Sequence, residues 1–335
     1  MIQDVRLEQL TEWINTLADW QGAQLAPASA DASFRRYFRV THHQQTAIAM
    51  DAPPDKENCT PFLDITDRLH HAGVAAPVIY AKNLLDGFLL LEDFGNTLLL
   101  NELSPSNADT LYETAMDTLL HLQQAEIQGL PEYSHAFLRR ELDLMPEWFL
   151  QQHLNFTAED IPYKLIDHTF NNLITAVLEQ PIAFVHRDYH SRNLMLAAEQ
   201  KLGVIDYQDA VWGPITYDLV SLLRDCYVVW PQQRVKRWAL AYHKEAIAAG
   251  VLPPIDEISF LRWFDLMGLQ RHLKVLGIFA RLNHRDGKAS YLKDLPLTLS
   301  YILTIGSQHP ETCRLVEWMR QAHIPERIGT VDIPA

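Results

Sequence analysis

The chain has 335 residues, of which 48% are hydrophobic and 21% are charged, and its formal net charge at pH 7 is -14. This is the composition of a globular protein with a large core, and the length favours two compact lobes over one. The acidic balance argues against a binder of nucleic acids or of anionic membranes, because the field of the protein repels phosphate groups. No feature of the sequence points to an obligate protein partner.

The cysteines and the N-terminal segment bear on the cellular compartment. Cys59, Cys226 and Cys313 are far apart and odd in number, which excludes a disulfide framework and fits a reducing environment. Apolar residues from Val5 to Leu17 recur at the spacing of an amphipathic helix, unlike the continuous apolar run of a signal peptide. No stretch reaches the ~18 to 20 apolar residues that a membrane-spanning helix needs. We therefore expect a cytoplasmic protein.

The N-terminal part of the chain, up to about Leu91, has the pattern of short strands separated by turns. The segments FRRYFRV, TAIAM and GFLLL predict strands, with THHQQ as a turn between the first two. One helix is also predicted, with Thr60 as its cap, Pro61 at its first position and Gly73 at its end.

The rest of the chain is helical in pattern. Apolar residues recur at helical spacing in the segments 108–124, 136–154, 217–229, 232–249 and 259–282, and strands interrupt them only between residues 184 and 205. We therefore predict an α+β protein with a small β-rich N-lobe at 1–91, an interlobe connection at 92–96 and a large helical C-lobe at 97–335. This is the organisation of a protein-kinase-like two-lobe fold.

The polar loop HRDYHSRN, at residues 186–193, carries the predicted chemistry. Asp188 follows His186 by two positions and precedes Asn193 by five, as in the H-R-D-x-x-x-x-N catalytic loop of kinases. A carboxylate beside an attacking hydroxyl accepts its proton or fixes its direction, so Asp188 is the predicted catalytic base. The strands LML and LGVI predict an antiparallel hairpin that brings Asn193 and Asp206 to one end, where both would ligate a magnesium ion on the phosphates of ATP.

Two interpretations from other classes remain open. His186, Asp188 and His190 alternate along the chain and could ligate a metal in a metallohydrolase, although that class needs further histidine ligands with a supporting motif of their own. A catalytically silent nucleotide-binding pseudokinase is the second alternative. The presence of Asp188, Asn193 and Asp206 argues against it.

The tripeptide Asp93-Phe94-Gly95 spells the metal-binding motif of protein kinases but does not occupy its place. It precedes the catalytic loop by roughly ninety residues, whereas the kinase motif follows that loop. Since the tripeptide comes directly after the apolar strand GFLLL, we assign Glu92, Asp93 and Phe94 to the interlobe connection, whose backbone would meet the adenine.

These motifs resemble a known superfamily. HRDYHSRNLM and GVIDYQDAVWGPITYDLVSLL are similar to the aminoglycoside phosphotransferase and choline kinase superfamily, the small-molecule branch of the kinase fold. A closer resemblance, to bacterial anomeric kinases of amino sugars, extends to SADASFRRYFRV, AMDAPPDKENC, FLLLEDFG, ELDLMPEWF, MGLQRHLKVLGIFARL and RDGKASYLKDLP, and so covers nearly the whole chain.

The resemblance implies a kinase that depends on ATP and Mg²⁺, with its nucleotide site in the N-lobe and its acceptor site in the C-lobe. Asp188 would be the base, Asn193 and Asp206 the magnesium ligands, and Asp218 a supporting residue. The implied acceptor is the anomeric hydroxyl of N-acetylmuramate or N-acetylglucosamine, in cell-wall recycling. Kinases of aminoglycosides, choline or homoserine are the alternatives within the class.

The strand TAIAM departs from the kinase pattern, because Met50 stands where a phosphate-binding lysine is expected. The loop ASADASF also lacks the usual glycines. Phosphates still need a cation, and a guanidinium binds them bidentately. Arg35 and Arg36 are the predicted replacements, with Arg39 and Lys56 as further candidates, although basic side chains on an exposed strand are often simply solvated.

Side chains that would contact the sugar are less specific. Arg271, Lys274 and Arg281 align along one stripe of a helix, which predicts either a patch that meets a substrate carboxylate or a solvent-facing stripe. Trp148 is placed to stack on a sugar ring, and the alternative is an ordinary core aromatic.

Overall fold

The computed structural model describes residues 4–30, 34–197 and 201–334. Its helices and strands, in chain order, are α1 (Val5–Thr16), β1 (Gln24–Ala30), β2 (Arg36–His42), β3 (Gln45–Asp51), α2 (Cys59–His71), β4 (Ile79–Asn83), β5 (Phe88–Glu92), α3 (Leu99–Glu102), α4 (Ala108–Gln123), α5 (His135–Leu142), a π-helical segment (Met145–His153), α6 (Tyr163–Val177), β6 (Ile182–Val185), β7 (Leu194–Leu196), β8 (Leu202–Val204), β9 (Val211–Pro214), α7 (Tyr217–Leu223), α8 (Gln232–Ala248), α9 (Glu257–Asp286), α10 (Leu295–Gly306), α11 (Cys313–Gln321) and α12 (Ile324–Ile328).

The chain divides into two compact units. The first runs to Leu98 and includes Leu194–Asp209, and the second consists of Leu99–Asn193 and of the chain from Ala210 onward. The first unit carries most of the strands and the second most of the helices, so the predicted α+β class is confirmed. No helix of the described ranges is long and apolar enough to cross a membrane.

The first unit is built on an antiparallel sheet with the strand order β1-β2-β3-β5-β4. Helix α1 covers it, and apolar side chains of the helix, of the turn that follows it and of the sheet form one buried cluster: Leu10, Ile14, Trp20, Phe38, Val40, Ala47, Ala49, Phe88 and Leu90. The predicted strands at FRRYFRV, TAIAM and GFLLL are confirmed as β2, β3 and β5. The alternation of buried and exposed positions along β2 is what a half-buried strand requires.

Two edge strands have no strong sequence signal. Strand β1 contains Pro27, and its pairing with β2 shifts register between Pro27 and Ser29. Proline within a sheet is confined to edges and bulges, so it masks a strand in the sequence even where one forms. Strand β4 is short and polar, with partly exposed positions along its length, and it pairs only with β5.

Helix α2 begins earlier than predicted. Asn58, not Thr60, is its cap, and the Asn58 side chain accepts a hydrogen bond of 2.9 Å from the backbone N–H of Thr60. Asparagine is as good a cap as threonine, and Pro61 is still within the first turn. Gly73, just past the helix end, has a φ of +78°, as predicted for a terminating glycine.

The hairpin of β7 and β8 belongs to the first unit. It is antiparallel, with Leu194 opposite Val204, which confirms the predicted strand pair, and its turn at 198–200 lies outside the described residues. The backbone N–H of Val204 donates to Ala75, and that of Leu196 donates to Thr97. A Cβ on Gly203 would lie 2.4 Å from the ring of Phe94, so this ring packs directly on the hairpin backbone.

The second unit is organised around α9, whose residues are buried along most of its 30-residue length. The π-helical segment, α6, α7, α8 and α10 all pack on it. The predicted bounds of α4, α8 and α9 agree with the structure to within a few residues.

Two helix predictions in the second unit need correction. The segment predicted as one helix at 136–154 is α5 followed by the π-helical segment, because Pro146 has no N–H to donate to the preceding helical turn. In the wider turn that follows, the N–H of Leu154 donates to the carbonyl of Phe149. Helix α7 ends at Leu223, short of the predicted residue 229.

Candidate active site

The predicted catalytic loop follows β6 in the second unit, and a buried carboxylate supports it. Asp218, in the first turn of α7, accepts hydrogen bonds from the backbone N–H groups of His186 at 2.6 Å and Arg187 at 3.0 Å. Burial raises the pKa of Asp218 to about 7, although these two donors oppose the rise. The side chain thus fixes the start of the loop.

Hydrogen bonds within the loop bring Asp188 and Asn193 together. The N–H of Asp188 donates to Nδ1 of His186 at 3.2 Å, and the carbonyl of Asp188 accepts from Nδ2 of Asn193 at 3.0 Å. Because the amide nitrogen of Asn193 is used in this way, Oδ1 is the atom of that side chain that can ligate a metal. His186 therefore has a structural role in the loop. No group of three or more His, Cys, Asp or Glu side chains in the described residues could hold a metal ion.

Arg187 has a backbone conformation that is unusual for a residue with a side chain. Its φ is +78°, which costs a non-glycine residue on the order of 1–3 kcal/mol. Its guanidinium donates to Glu141 at 2.6 Å and lies near the ring of Phe137, at 5.0 Å from the centroid. These contacts hold the residue that directly precedes Asp188.

Glu141 is the centre of a buried cluster. Besides Arg187, its carboxylate accepts a hydrogen bond from the hydroxyl of Tyr133 and forms an ion pair with Lys274 at 3.0 Å. Lys274 Nζ also donates to the hydroxyl of Tyr217 at 2.9 Å. Reasoning from the sequence did not identify this cluster, because Glu141 follows Arg139 and Arg140 in a helix of mixed polarity and carries no local signal of burial.

The basic stripe predicted on α9 does not face solvent. Arg271 is 3% exposed and Lys274 is 5% exposed, so the solvent-facing interpretation is wrong for both residues. Arg271 lies in the interior beside Cys226, and Lys274 is paired with Glu141. Burial lowers the pKa of Arg281, the third member of the stripe.

Burial and the surrounding charges determine the protonation state of Asp188. Burial would raise the pKa of Asp188, but the positive charges of Lys274, Arg187 and Arg271 contribute to a net lowering. Asp188 is therefore a carboxylate at neutral pH. An anion in this position can accept a hydrogen bond from a hydroxyl group.

Asp206 follows β8 in the first unit and also has a left-handed conformation, with a φ of +65°. Its Oδ1 accepts a hydrogen bond of 2.9 Å from Gln208. The next residue, Tyr207, is buried and anchored to α2, since its hydroxyl lies 2.8 Å from the hydroxyl of Thr66 and its ring contacts Phe62. This anchoring fixes the backbone at Asp206.

The arginines near β2 differ in what they contact. Arg36 is held between Asp51, at 2.6 Å, and Asp4, at 2.5 Å. Arg35 forms an ion pair of 2.9 Å with Glu57, just before the cap of α2. Met50, at the position of the expected lysine, is fully buried.

The segment 92–94 is held by local contacts in the first unit. The carboxylate of Asp93 accepts hydrogen bonds from Arg39 at 2.7 and 3.0 Å and from the N–H of Gly95 at 2.9 Å. The N–H of Glu92 donates to the carbonyl of Val78 at 2.8 Å. Asp93 and Arg39 thus form an ion pair within the first unit. The assignment of Asp93 to the interlobe connection and the candidacy of Arg39 for the phosphates stay predictions.

Trp148 lies in the π-helical segment and is half-buried, between the buried residues Met145 and Phe149. Its predicted contact with a sugar ring stays a prediction.

Comparison with known proteins defines the class. The ADP-bound aminoglycoside phosphotransferase APH(2'')-Ib shares 15% sequence identity, and the structures superimpose with a TM-score of 0.59 over 88% of this chain and 97% of that chain. The predicted kinase-like fold is therefore confirmed. Residues 24–257 match the profile of the phosphotransferase enzyme family.

Two similar proteins of known name are kinases from Pseudomonas. The N-acetylmuramate/N-acetylglucosamine kinase of Pseudomonas aeruginosa is 46% identical over 97% of this chain and 99% of that protein. The protein of the same name from Pseudomonas putida is 44% identical over 94% of this chain and 96% of that protein. The chain belongs to the phosphotransferase enzyme family and is a small-molecule kinase.

Proposed function

We propose that this kinase transfers the γ-phosphoryl group of ATP to the anomeric hydroxyl of N-acetylmuramate and N-acetylglucosamine. The observation that carries the proposal is the similarity to kinases named for these two sugars, at 46% identity over 97% of this chain. We assign the reaction to the cytoplasm, where ATP is present, and to the recycling of cell-wall sugars.

The donor atoms of the predicted metal ligands fit Mg²⁺. Asn193 offers an amide oxygen and Asp206 a carboxylate, and Mg²⁺ prefers such hard oxygen ligands. When bound, the ion offsets the negative charge on the phosphoryl group during transfer. Local contacts hold both residues in place. The Asn193 side chain donates a hydrogen bond to the carbonyl of Asp188, and Asp206 directly precedes the anchored Tyr207.

Asp188 acts on the acceptor in this proposal. Its carboxylate accepts the proton of the attacking hydroxyl as the oxygen approaches the phosphorus, and it aligns that hydroxyl. The nearby charges of Lys274 and Arg187 keep Asp188 ionised, so that it can accept a hydrogen bond from the hydroxyl. An anomeric hydroxyl is more acidic than an ordinary alcohol, so it loses its proton more readily as the bond to phosphorus forms.

The nucleotide contacts come from the first unit. We propose the backbone of 92–94 as the adenine-facing segment and Arg35 as the cation for the phosphates. Arg36 is already paired with two carboxylates, so we no longer propose it for this role. Lys56 is the alternative to Arg35, since it is exposed and forms a long ion pair with Asp55, at 3.6 Å.

The choice among the acceptors rests on the similarity to the named kinases and not on the charge around Asp188. Arg187 and Lys274 are paired with Glu141, and Arg271 is buried beside Cys226, so these charges are compensated or buried.

The test compares acceptors and identifies the product. We expect phosphorus NMR to show an anomeric phosphate on N-acetylmuramate and on N-acetylglucosamine, and no product from their 1-O-methyl glycosides, which lack the attacking hydroxyl. Kanamycin, choline and homoserine serve as parallel acceptors. A phosphate on any other hydroxyl, or turnover of the amines alone, would contradict the assignment of the acceptor. Nucleotide binding without turnover of any acceptor would support the pseudokinase interpretation.

A further inference from the structure

One basic side chain of the catalytic loop has no part in the mechanism above. Arg192 lies between Asp188 and Asn193 in the sequence, and its side chain is 32% exposed. The central carbon of its guanidinium is 3.5 Å from the ring centroid of Tyr227. Within the part of the chain that the structure describes, Arg192 makes a cation–π contact and a long ion pair, but its guanidinium donates no hydrogen bond.

The ring under Arg192 is fixed to the catalytic loop. The N–H of Tyr227 donates to Oδ1 of Asp225 at 3.1 Å, and Oδ2 of Asp225 accepts from the N–H of Ser191 at 3.0 Å. The Tyr227 ring also has edge contacts with His190. The loop and the aromatic platform are thus tied together by one buried carboxylate, which fixes the plane of the Arg192 guanidinium.

A carboxylate faces Arg192 without forming a hydrogen bond to it. Oδ2 of Asp294 lies 3.8 Å from Nη2 of Arg192, which is an ion pair but too long for a hydrogen bond. This oxygen is buried and has no hydrogen-bond partner among the described residues. Burial raises the pKa of Asp294, as expected for an incompletely compensated carboxyl group. The Arg192 guanidinium can therefore still donate hydrogen bonds to a ligand, and Oδ2 of Asp294 can still accept one.

We propose that Arg192 binds the carboxylate of an acidic sugar acceptor, the lactyl group of N-acetylmuramate, and that Asp294 accepts a hydrogen bond from a hydroxyl or amide N–H of the same sugar. This inference rests on the function proposed above. A planar guanidinium stacked on an aromatic ring is already oriented for bidentate binding of a carboxylate.

One guanidinium can serve two carboxylates through different edges, and this protein contains an example. Arg36 binds Asp51 through Nε and Nη2 and binds Asp4 through Nη1 and Nη2. Arg192 can likewise remain near Asp294 while it binds the substrate. Arg271 and Lys274, which we predicted for a substrate carboxylate, are buried, and Lys274 already has a carboxylate partner, so Arg192 replaces them in this role.

The two proposed acceptors provide a matched pair for the test, because N-acetylmuramate differs from N-acetylglucosamine by the lactyl ether. We expect Arg192→Gln to lower kcat/KM for N-acetylmuramate about 10- to 100-fold relative to N-acetylglucosamine, as for the loss of a charge-assisted hydrogen bond. Arg192→Lys keeps the charge but not the planar group. Its ratio of kcat/KM for the two sugars should therefore lie between the ratios of the wild type and of Arg192→Gln. Arg237→Gln, at an exposed arginine paired only with Asp109, is the control and should leave the ratio unchanged.

The outcomes separate this inference from the proposed function. Turnover of neither sugar by the wild-type enzyme would overturn both. Wild-type turnover of both sugars, with an unchanged ratio in Arg192→Gln and Arg192→Lys, would overturn the role of Arg192 alone. An equal loss for both sugars with a raised KM for ATP would also overturn it, since that result identifies Arg192 as a phosphate contact. If Arg192→Gln fails to fold, the ratio measured in Arg192→Lys decides.

Discussion

Replacing Glu141 by glutamine tests whether the buried cluster beneath the catalytic loop contributes to stability as its geometry indicates. The substitution keeps the shape of the side chain but removes the charge that faces Arg187 at 2.6 Å and Lys274 at 3.0 Å. Removing one partner of a buried ion pair typically costs about 3–5 kcal/mol, because the other charge stays buried without compensation. We expect Glu141→Gln to lower the free energy of unfolding by about that amount.

A double-mutant cycle makes the test specific to the pair. Lys274→Met removes the second charge, so the double variant should be more stable than the sum of the two single losses by about 1–3 kcal/mol. The measurement is urea unfolding at pH 7, followed by circular dichroism. Asp109→Asn, at an exposed carboxylate that pairs with Arg234 and Arg237, is the control and should leave the midpoint unchanged. Additive losses in the double variant would refute the coupling that the structure implies.

The same pair predicts a dependence on pH. Burial would raise the pKa of Glu141, but Lys274 and Arg187 outweigh it and lower the pKa below its usual value. A lowered pKa in the folded state means that this stabilisation is complete above the unfolded pKa of about 4.3 and is lost as the pH falls through the folded value. The stability difference between the wild type and Glu141→Gln should therefore shrink in acid.

Four further substitutions test the proposed active site. Asp188→Asn should lower kcat by about 10²-fold or more with little change in nucleotide affinity, and near-normal turnover would rule out the assigned base. Asp206→Ala should abolish transfer and the Mg²⁺-dependent part of nucleotide binding in calorimetry, whereas activity that survives chelation of the metal would contradict a kinase. Arg35→Ala should raise the KM for ATP about 10- to 100-fold, whereas Arg36→Ala should lower the free energy of unfolding instead. The reverse pattern would identify Arg36 as the residue that binds the phosphates.

The sequence predicts the class of the protein better than the environment of its site. Asp188, Asn193 and Asp206 were predicted because a kinase loop requires particular residue types at fixed offsets, and their roles stay predictions. The buried cluster was missed because its members lie far apart along the chain. Nothing local to Lys274 indicates that Glu141 will neutralise it, and helical spacing alone placed it on a stripe whose environment only the fold determines.

The errors in the elements have a similar origin. Periodicity identified α9 and the central strands β2, β3 and β5, whose apolar faces are buried. It gave no warning of β1, which is interrupted by Pro27, or of the break before the π-helical segment, where Pro146 overrides an apolar pattern that continues on both sides.

The contact between Phe94 and Gly203 has a consequence for the evolution of the family. No side chain fits at position 203 while a phenyl ring occupies the space above it, because even a methyl group would overlap the ring. The two positions are therefore expected to vary together, with a residue larger than glycine at 203 accompanied by a smaller one at 94. Substitutions at positions 94 and 203, which are far apart in the chain, would then be correlated within the family.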